Sequence, residues 1–172
     1  EEGLKSETRI GRKAFLSPGI PFAGGTLGRD LNYLDEISKK KNLNTKLLSS
    51  IKSSNENHKN WIYSHLRNLI INKKIKRISI WGLAYTENTD TLRRSLAIEI
   101  SNWLRTHNIK VSGYDSNIKK FSPRINKIIN RLSSPISTIK NIDVLIILGK
   151  SKDFLKISPN VIKKLNKKLI II

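Results

Sequence analysis

Apolar residues in the first half of the chain recur at the spacing of a helix. Between residues 30 and 41 they fall at every third position, which places them on one face of a helix that begins at Asp30. A second stripe runs through residues 45–72 at intervals of three, four and seven residues. We therefore predict two helices, of which the second has about 27 residues and a length of roughly 40 Å.

The second predicted helix is longer than most helices of single domains. We expect it to bridge two domains or to form a subunit interface, and we predict a homodimer that associates through residues 45–72. His58 and Trp61 lie on or near its apolar stripe. We interpret both as packing residues rather than as ligands.

The second half of the chain alternates short apolar runs with helical patterns. Residues 78–81 form a predicted strand that ends at Gly82. An amphipathic helix over residues 95–107 and a strand over residues 110–114 follow. The short connections indicate a β-α-β unit with parallel strands and a right-handed crossover.

Further elements extend this unit into a sheet. Residues 144–148 and 169–172 are continuously apolar, as expected of strands that are covered on both faces. We also predict helices over residues 121–132 and 159–165. These elements indicate an α/β fold class with a Rossmann-like parallel sheet.

The periodicity changes near Lys73 and divides the chain into two predicted domains. Residues 1–72 form a helical linker or dimerisation region that carries a candidate substrate loop at residues 15–30. Residues 73–172 form the Rossmann-like domain. The chain has no methionine and begins Glu1-Glu2-Gly3, so we interpret it as a fragment of a longer protein.

Composition narrows the class of protein. The apolar fraction is 38%, no apolar run is long enough to cross a bilayer, and no apolar signal segment opens the chain. We therefore expect a cytoplasmic protein without a membrane partner. Cysteine is absent, which excludes disulfides and thiolate metal sites in this chain, and three isolated histidines do not suggest zinc.

The chain is strongly basic, with 33 Lys and Arg against 13 Asp and Glu and a net charge of +20. Such a charge is typical of proteins that bind nucleic acid. We keep a nucleic-acid-binding protein only as a remote alternative, because the charges are spread along the chain and no basic motif is interleaved with aromatics. The abundance of Lys, Asn and Ile together instead indicates biased base composition of the coding DNA. A basic surface also attracts phosphate-bearing ligands.

The loop of residues 15–30 concentrates glycine and proline and ends in a carboxylate. Glycines allow main-chain N–H groups to approach a ligand closely. The residues alone leave two interpretations open, a substrate-binding loop and a turn capped by Asp30.

This loop resembles the active-site loop of the UDP-glucose/GDP-mannose dehydrogenase family, P-G-x-G-F-G-G-S-C-F-x-K-D. Thr26 stands at the position of the family's nucleophilic cysteine, Arg29 at that of its lysine, and Ala23 at that of a glycine. The matching positions are Gly19, Phe22, Gly24 and Asp30.

Other segments carry the same resemblance in the correct order, over roughly residues 9–172. Residues 82–95 are similar to the family motif G-L-[AS]-[FY]-K-x-x-[TS]-D-D-x-R-E-S, with Thr86 in place of the lysine. Tyr114-Asp115 is similar to the family's Y-D-P, and residues 143–148 to one of its strands. Asn55-Glu56 with Lys59 resembles an element of the family's central helix.

The resemblance implies roles for individual residues. Asp30 and Thr26 take the catalytic positions, and Arg93 pairs with the diphosphate or sugar and is also a candidate cofactor contact. Arg9, in an element similar to D-x-R-I-G, reaches the nucleotide sugar of a neighbouring subunit. The implied substrate-binding set is Arg9, Phe15, Leu16, Gly19, Phe22, Gly24 and Arg93.

The resemblance also implies an activity, the NAD-dependent oxidation of a nucleotide sugar at C6 in the synthesis of polysaccharide precursors. In the family a cysteine thiolate carries the second oxidation through a thioester. With Thr26 at that position we expect altered oxidation or a non-catalytic nucleotide-sugar-binding relative. The fingerprint G-x-G-x-x-G is absent from the sequence. NAD is therefore expected to be bound mainly by an N-terminal domain that is missing from this chain, and the fragment alone is expected to be inactive.

Overall fold

A computed structural model describes residues 1–14, 16, 19, 21–22, 25–86, 88–149 and 151–172. Its N-terminal part is helical, with α1 (Glu2–Lys5), α2 (Thr26–Lys40) and α3 (Lys46–Lys73). Its C-terminal part alternates strands and helices in the order β1 (Arg77–Trp81), α4 (Leu96–Thr106), β2 (Lys110–Tyr114), α5 (Pro123–Asn126), β3 (Asn130–Arg131), α6 (Pro135–Ile139), β4 (Val144–Ile147), α7 (Lys152–Leu155), α8 (Pro159–Leu165) and β5 (Ile170–Ile171).

Helix α2 begins four residues before the predicted start. Gly25 occupies the N-cap position, and Thr26 is the first helical residue. Asp30 therefore lies inside the helix, and the prediction that the helix begins there was wrong. The first turn is largely exposed, so it carries no buried apolar stripe that would have marked the true start.

Helix α3 confirms the predicted long helix and has 28 residues. Its buried positions are Asn55, Ile62 and Leu66, which are spaced by seven and four residues and therefore lie on one face. Ile62 and Leu66 belong to the core that the sheet forms with α4. The helix is thus anchored to the sheet at its C-terminal half.

Several large side chains of α3 are exposed in the part of the chain that the structure describes. Leu47 is 75% exposed and Trp61 is 58% exposed, and His58 is exposed too. Neither His58 nor Trp61 is buried within this chain, and the interpretation of both as packing residues stays a prediction. Trp61 instead stacks at the surface on His65, with ring centroids 5.7 Å apart.

The five strands form one sheet in the order β3-β2-β1-β4-β5, and every pair is parallel. This confirms the predicted α/β fold class and the parallel pairing of the first two strands. Ile80 of β1 pairs with Gly113 of β2 and with Ile146 of β4. The side chains of β1 from Ile78 to Trp81 are all buried, including that of Ser79, because both faces of the sheet are covered.

The predicted helix over residues 121–132 was wrong in extent. Helix α5 has only four residues, and Asn130 and Arg131 pair with β2 as a short edge strand. Isoleucines 125, 128 and 129 have helical spacing, and a two-residue strand is too short to show alternation. The sequence pattern therefore could not reveal the strand.

The two faces of the sheet carry separate cores. Ile78, Ile80, Val144 and Ile146 point to the face that packs against α3 and α4. Trp81 and Leu145 alternate to the other face and pack with Ile139, Phe154 and Ile162. No helix among the described residues is both long enough and apolar enough to cross a membrane.

An asparagine in the left-handed conformation follows the C-cap of both α2 and α4. Asn42 and Asn108 have φ of 50° and 58°, the left-handed conformation that glycine usually supplies after a helix. Each is followed by a main-chain bond back to the last turn, from Leu43 N to Ser38 O (2.9 Å) and from Ile109 N to Leu104 O (3.1 Å). Both ends are thus Schellman motifs built on asparagine.

The chain reverses its direction of winding between β1 and β4, and the loops after these two strands touch. Gly82 has φ +85°, and a Cβ atom built on it would lie 2.7 Å from the Gly149 nitrogen and 2.9 Å from its Cα. No side chain fits at Gly82. A Cβ built on Gly149 would lie at 3.4 Å from the Gly82 Cα, an ordinary contact.

We expect Gly82→Ala to lower the free energy of unfolding by about 3 kcal/mol, because it combines left-handed strain with a main-chain clash. Gly149→Ala is the matched control, and we expect it to cost less than about 1 kcal/mol. Chemical denaturation of both variants measures the difference. Equal losses in the two variants would contradict the proposed contact.

Candidate functional site

A cleft of about 1110 Å³ opens at the carboxyl edge of the sheet. The loops after β1, β2 and β4 line it, and residues 19, 21 and 22 of the helical region close one side. Gly82 and Gly149 lie at its base. In open parallel sheets, ligands bind at this edge, where the direction of winding reverses. The cleft is therefore the candidate binding site.

Asp115 fixes the loop that follows β1. Its side chain lies at the end of β2 and is 7% exposed. Oδ2 accepts hydrogen bonds from Leu83 N (2.8 Å) and Ala84 N (2.9 Å), and Oδ1 accepts one from Asn117 N (2.9 Å). These bonds satisfy the buried carboxylate with main-chain donors from two of the loops that line the cleft.

Ser95 joins the far end of the same loop to α4. Its hydroxyl donates to the Leu83 carbonyl (2.6 Å) and accepts from Ala97 N (3.1 Å) as the N-cap. The side chain is buried. The loop of residues 82–95 is therefore held at both ends, and the adjacent Leu96, the first residue of α4, lines the cleft.

An aromatic cluster supports the wall formed by the loop after β4. Phe154 lines the cleft and stacks on Trp81, with ring centroids 4.9 Å apart. The Trp81 Nε1 group donates to Thr138 Oγ1 (2.6 Å), which satisfies the buried indole. These contacts give Phe154 a fixed position at the wall.

Tyr114 links this cluster to a carboxylate of the cleft. Its hydroxyl donates to Asp153 Oδ2 (3.0 Å). Burial, and then the hydrogen bond to Asp153, raise the pKa of Tyr114 above its ordinary value of 10.0. The tyrosine is therefore a neutral donor through the physiological range. The stability that it contributes is complete below pH 10.0 and is lost as the pH rises further.

Two cations line the cleft together with these carboxylates. Arg94 and Lys152 are exposed at its wall. Arg94 has φ 61°, a left-handed conformation that is uncommon for a side chain of this size. Asp115 and Asp153 are engaged as hydrogen-bond acceptors, and Arg94 and Lys152 add positive charge to the lining of the cleft.

The helical region meets the sheet domain at this cleft. Asn55 of α3 holds the main chain of Phe22, which lines the cleft. The Tyr85 hydroxyl lies directly against Gly25, the N-cap of α2. The glycine-rich loop and the loop after β1, which lie far apart in sequence, are therefore neighbours in the fold.

The structure brings only some of the predicted site residues to the cleft. Gly19 and Phe22 line it. Leu16 is 40% exposed, while Phe15 and Gly24 fall outside the described residues. The roles of these residues remain predictions.

The predicted catalytic residues lie on the exposed first turns of α2. Thr26 and Asp30 are exposed, and Asp30 Oδ1 accepts from Arg29 Nε (3.1 Å). Among the described residues, those that line the cleft do not include Thr26 or Asp30. Their catalytic roles therefore stay predictions.

The two predicted arginines are both at the surface. Arg93 is exposed and does not appear among the described residues that line the cleft. Arg9 Nε donates to Glu7 Oε1 (3.0 Å), and this bond lowers the pKa of Glu7. Neither placement assigns a ligand to these side chains.

Sequence reasoning missed Arg94, Lys152 and the contact of Asn55 with Phe22. Arg94 follows the arginine of the motif and stands where that motif has a glutamate, so attention fell on Arg93. Asn55 did leave a signal, because it is a polar residue seven positions before Ile62 on the buried face of α3. No group of three or more His, Asp or Glu side chains arranged to hold a metal occurs among the described residues.

A family model for the UDP binding domain of the UDP-glucose/GDP-mannose dehydrogenase family matches residues 79–172, more than half of the chain. The chain belongs to the UDP-glucose/GDP-mannose dehydrogenase family. The model for the central domain of the same family matches residues 1–57. Both parts of the resemblance seen in the sequence are thereby confirmed.

Curated relatives of this family are longer than the chain. It is 28% identical over 176 residues to a UDP-glucose 6-dehydrogenase of Rickettsia prowazekii, which covers 99% of the chain and 40% of that protein. It is 32% identical over 114 residues to UDP-glucose 6-dehydrogenase TuaD of Bacillus subtilis, which covers 66% of the chain and 24% of that protein. The chain thus spans less than half of these relatives.

Solved structures of the family share the fold. A UDP-glucose dehydrogenase from Pyrobaculum islandicum superposes with a TM-score of 0.76 at 17% identity, over 99% of the chain and 41% of that protein. A GDP-mannose dehydrogenase from Pseudomonas aeruginosa gives 0.69 at 20% identity, over 87% of the chain and 36% of that protein. At these identities the likeness establishes the fold alone.

Proposed function

We propose that this chain is the nucleotide-sugar-binding part of a UDP-glucose-like 6-dehydrogenase. The observation that carries the proposal is the cleft at the reversal point of the sheet, where both family motifs meet. The match to the UDP binding domain supports a nucleotide-sugar ligand. The relatives named as UDP-glucose 6-dehydrogenases support the substrate class.

The chemistry of the cleft suits a nucleoside diphosphate sugar. Arg94 and Lys152 provide cations for the diphosphate, since guanidinium and ammonium groups bind phosphate oxygens through charge-assisted hydrogen bonds. Phe154 and the apolar wall offer a surface to the base. We place the sugar toward residues 19–22. Arg93, proposed from the motif, is a further candidate for the diphosphate.

We propose that NAD, which the family uses, is not the ligand of this cleft. Dinucleotide-binding folds place a free carboxylate beyond the first strand and helix to bind the ribose hydroxyls. Asp115 is the carboxylate at that edge, but its two oxygens already accept three main-chain N–H groups. We therefore propose that this cleft takes the nucleotide sugar and that NAD is held elsewhere in the enzyme.

We expect Arg93→Ala and Arg94→Gln each to weaken the binding of UDP-glucose by about 1.5–3 kcal/mol, the usual value of a charge-assisted contact. Lys164→Gln, which removes an exposed cation of α8 outside the cleft lining, is the control and should leave the affinity unchanged. Isothermal calorimetry measures all three. Unchanged affinity in Arg93→Ala would remove Arg93 from the site, and equal losses in all three would show that only net charge matters.

Thr26 is expected to change the second of the two oxidation steps, which the family carries out through a cysteine thioester. A threonine hydroxyl is far less acidic than a thiol, and an ester is a slower acyl donor than a thioester. Asp30 is available to orient a water or to assist proton removal in the first oxidation. The exposure of Thr26 and the ion pair of Asp30 with Arg29 are compatible with a second candidate function, a nucleotide-sugar-binding relative without catalysis.

We expect the intact enzyme to release one equivalent of NADH per UDP-glucose rapidly, and any second equivalent slowly, because Thr26 cannot form a thioester. A single-turnover experiment that follows NADH absorbance measures the stoichiometry. Thr26→Ser is the control and should behave as the unmodified protein does. Rapid release of two equivalents would contradict the argument, and release of none would favour the binding relative.

We further propose a homodimer that associates through α3. The exposed apolar side chains Leu47, Trp61 and Ile71 lie along this helix, and Trp61 stacks on His65 at the surface. Exposed aromatic and aliphatic groups of this size are typical of subunit interfaces. Arg9, which is exposed near the N-terminus, is proposed to reach the sugar bound by the neighbouring subunit.

We expect Trp61→Asp to shift the chain from dimer to monomer in sedimentation equilibrium, because it places a charge in the proposed apolar interface. Asn60→Asp adds the same charge next to Trp61 at an exposed polar position and should leave the dimer intact. A monomeric unmodified chain would contradict the proposal.

A further inference from the structure

Asn55 is an exception on the buried face of α3. It lies on the same face as Ile62 and Leu66, yet it carries an amide and is only 8% exposed. Asparagine is a poorer helix former than alanine or leucine, and a buried amide must find partners. Its position therefore calls for a specific contact.

That contact is with the main chain of Phe22. Asn55 Oδ1 accepts from Phe22 N (2.9 Å), and Asn55 Nδ2 donates to Phe22 O (3.0 Å). The two bonds close a ring, as between neighbouring strands, and fix both the position and the orientation of one peptide segment. Only a side chain with a donor and an acceptor on one carbon can make this pair. Glutamine also carries both groups, but it is longer by one methylene and would not keep the same position of Phe22.

We propose that Asn55 is a positioning residue of the nucleotide-sugar site, which holds Phe22 and the adjacent Pro21 at the cleft before the ligand arrives. The inference rests on the proposed function. Phe22 lines the cleft, and α3 is itself anchored to the sheet through Ile62 and Leu66. The sheet therefore fixes the position of α3, and Asn55 of α3 fixes the position of Phe22 at the cleft. We call this pair of hydrogen bonds the clamp.

A pre-ordered segment saves the entropy that a ligand would otherwise spend in ordering it. Without the clamp, the binding-competent arrangement is only fractionally populated, and the apparent affinity falls by that fraction. The expected effect of removing the clamp is therefore a weaker affinity, with α3 and the sheet still folded.

The first test is Asn55→Ala in the full chain. Alanine is the better helix former, so we expect unchanged helicity by circular dichroism together with a loss in UDP-glucose affinity of about tenfold by calorimetry. Hydrogen exchange should become faster at the Phe22 amide and stay unchanged in α4. Asn57→Ala, at an exposed position of the same helix, is the control.

The second test is Asn55→Asp, which makes the clamp depend on pH. An ionised carboxylate keeps the acceptor for Phe22 N but opposes the Phe22 carbonyl, whereas a protonated carboxyl has the donor and acceptor of an amide. Affinity and amide protection should therefore recover as the pH falls from about 8 to 5. Lys52, Glu56 and Lys59 are charged groups of α3 within four residues of Asn55, and Asp35 of α2 interacts with Lys52. The unmodified chain carries all four groups, so the same pH series on it measures the effect of their own titration.

The outcomes separate the inference from the proposed function. If the unmodified chain does not bind UDP-glucose, the proposed function fails, and the exchange of the Phe22 amide still decides the clamp. If the unmodified chain binds and Asn55→Ala binds equally well, or if the Phe22 amide exchanges at the same rate in both, the inference is overturned. Recovery of the affinity and of the Phe22 amide protection of Asn55→Asp at low pH, with helicity by circular dichroism constant over the same range, supports it, because the protonated carboxyl restores both hydrogen bonds to Phe22.

Discussion

The candidate site depends on one buried carboxylate. Asp115 accepts three main-chain hydrogen bonds and so ties the loop after β1 to the end of β2. A buried polar side chain is tolerated only when its hydrogen bonds are complete, and here the donors are main-chain groups of the loops themselves. The shape of these loops and the burial of the Asp115 side chain therefore depend on each other. The close approach of Gly82 to Gly149 then sets the base of the cleft.

The sequence predicted the parallel sheet because its signals are local. Residues 110–114 and 159–165 have the same bounds in the structure as in the prediction. Ser158-Pro159 marks the start of the helix, and the continuously apolar run after Asp143 marks the strand β4. The prediction of one helix over residues 121–132 was wrong because an edge strand of two residues has no hydrophobic pattern of its own. The predicted start of α2 was wrong because the first turn of this helix is exposed and carries no buried apolar residue.

The candidate site was predicted less completely than the fold, and the reason is physical. A motif identifies a loop, but the direction of each side chain follows from backbone angles that a single sequence does not specify. Arg94 lies at the cleft with a left-handed φ, whereas the neighbouring Arg93 does not line it. The contact between Asn55 and Phe22 joins residues 33 positions apart. Such a pair becomes visible only when α3 is placed against the glycine-rich loop.

The asparagines that end α2 and α4 bear on the composition of the whole chain. Asparagine enters the left-handed region more readily than other residues with a side chain, because its short amide compensates the local main chain. A gene under pressure toward asparagine codons can therefore keep its helix stops without glycine. Asn42 and Asn108 stop α2 and α4 in this way. Asparagine cannot replace glycine at position 82, because the space beside Gly149 admits no side chain.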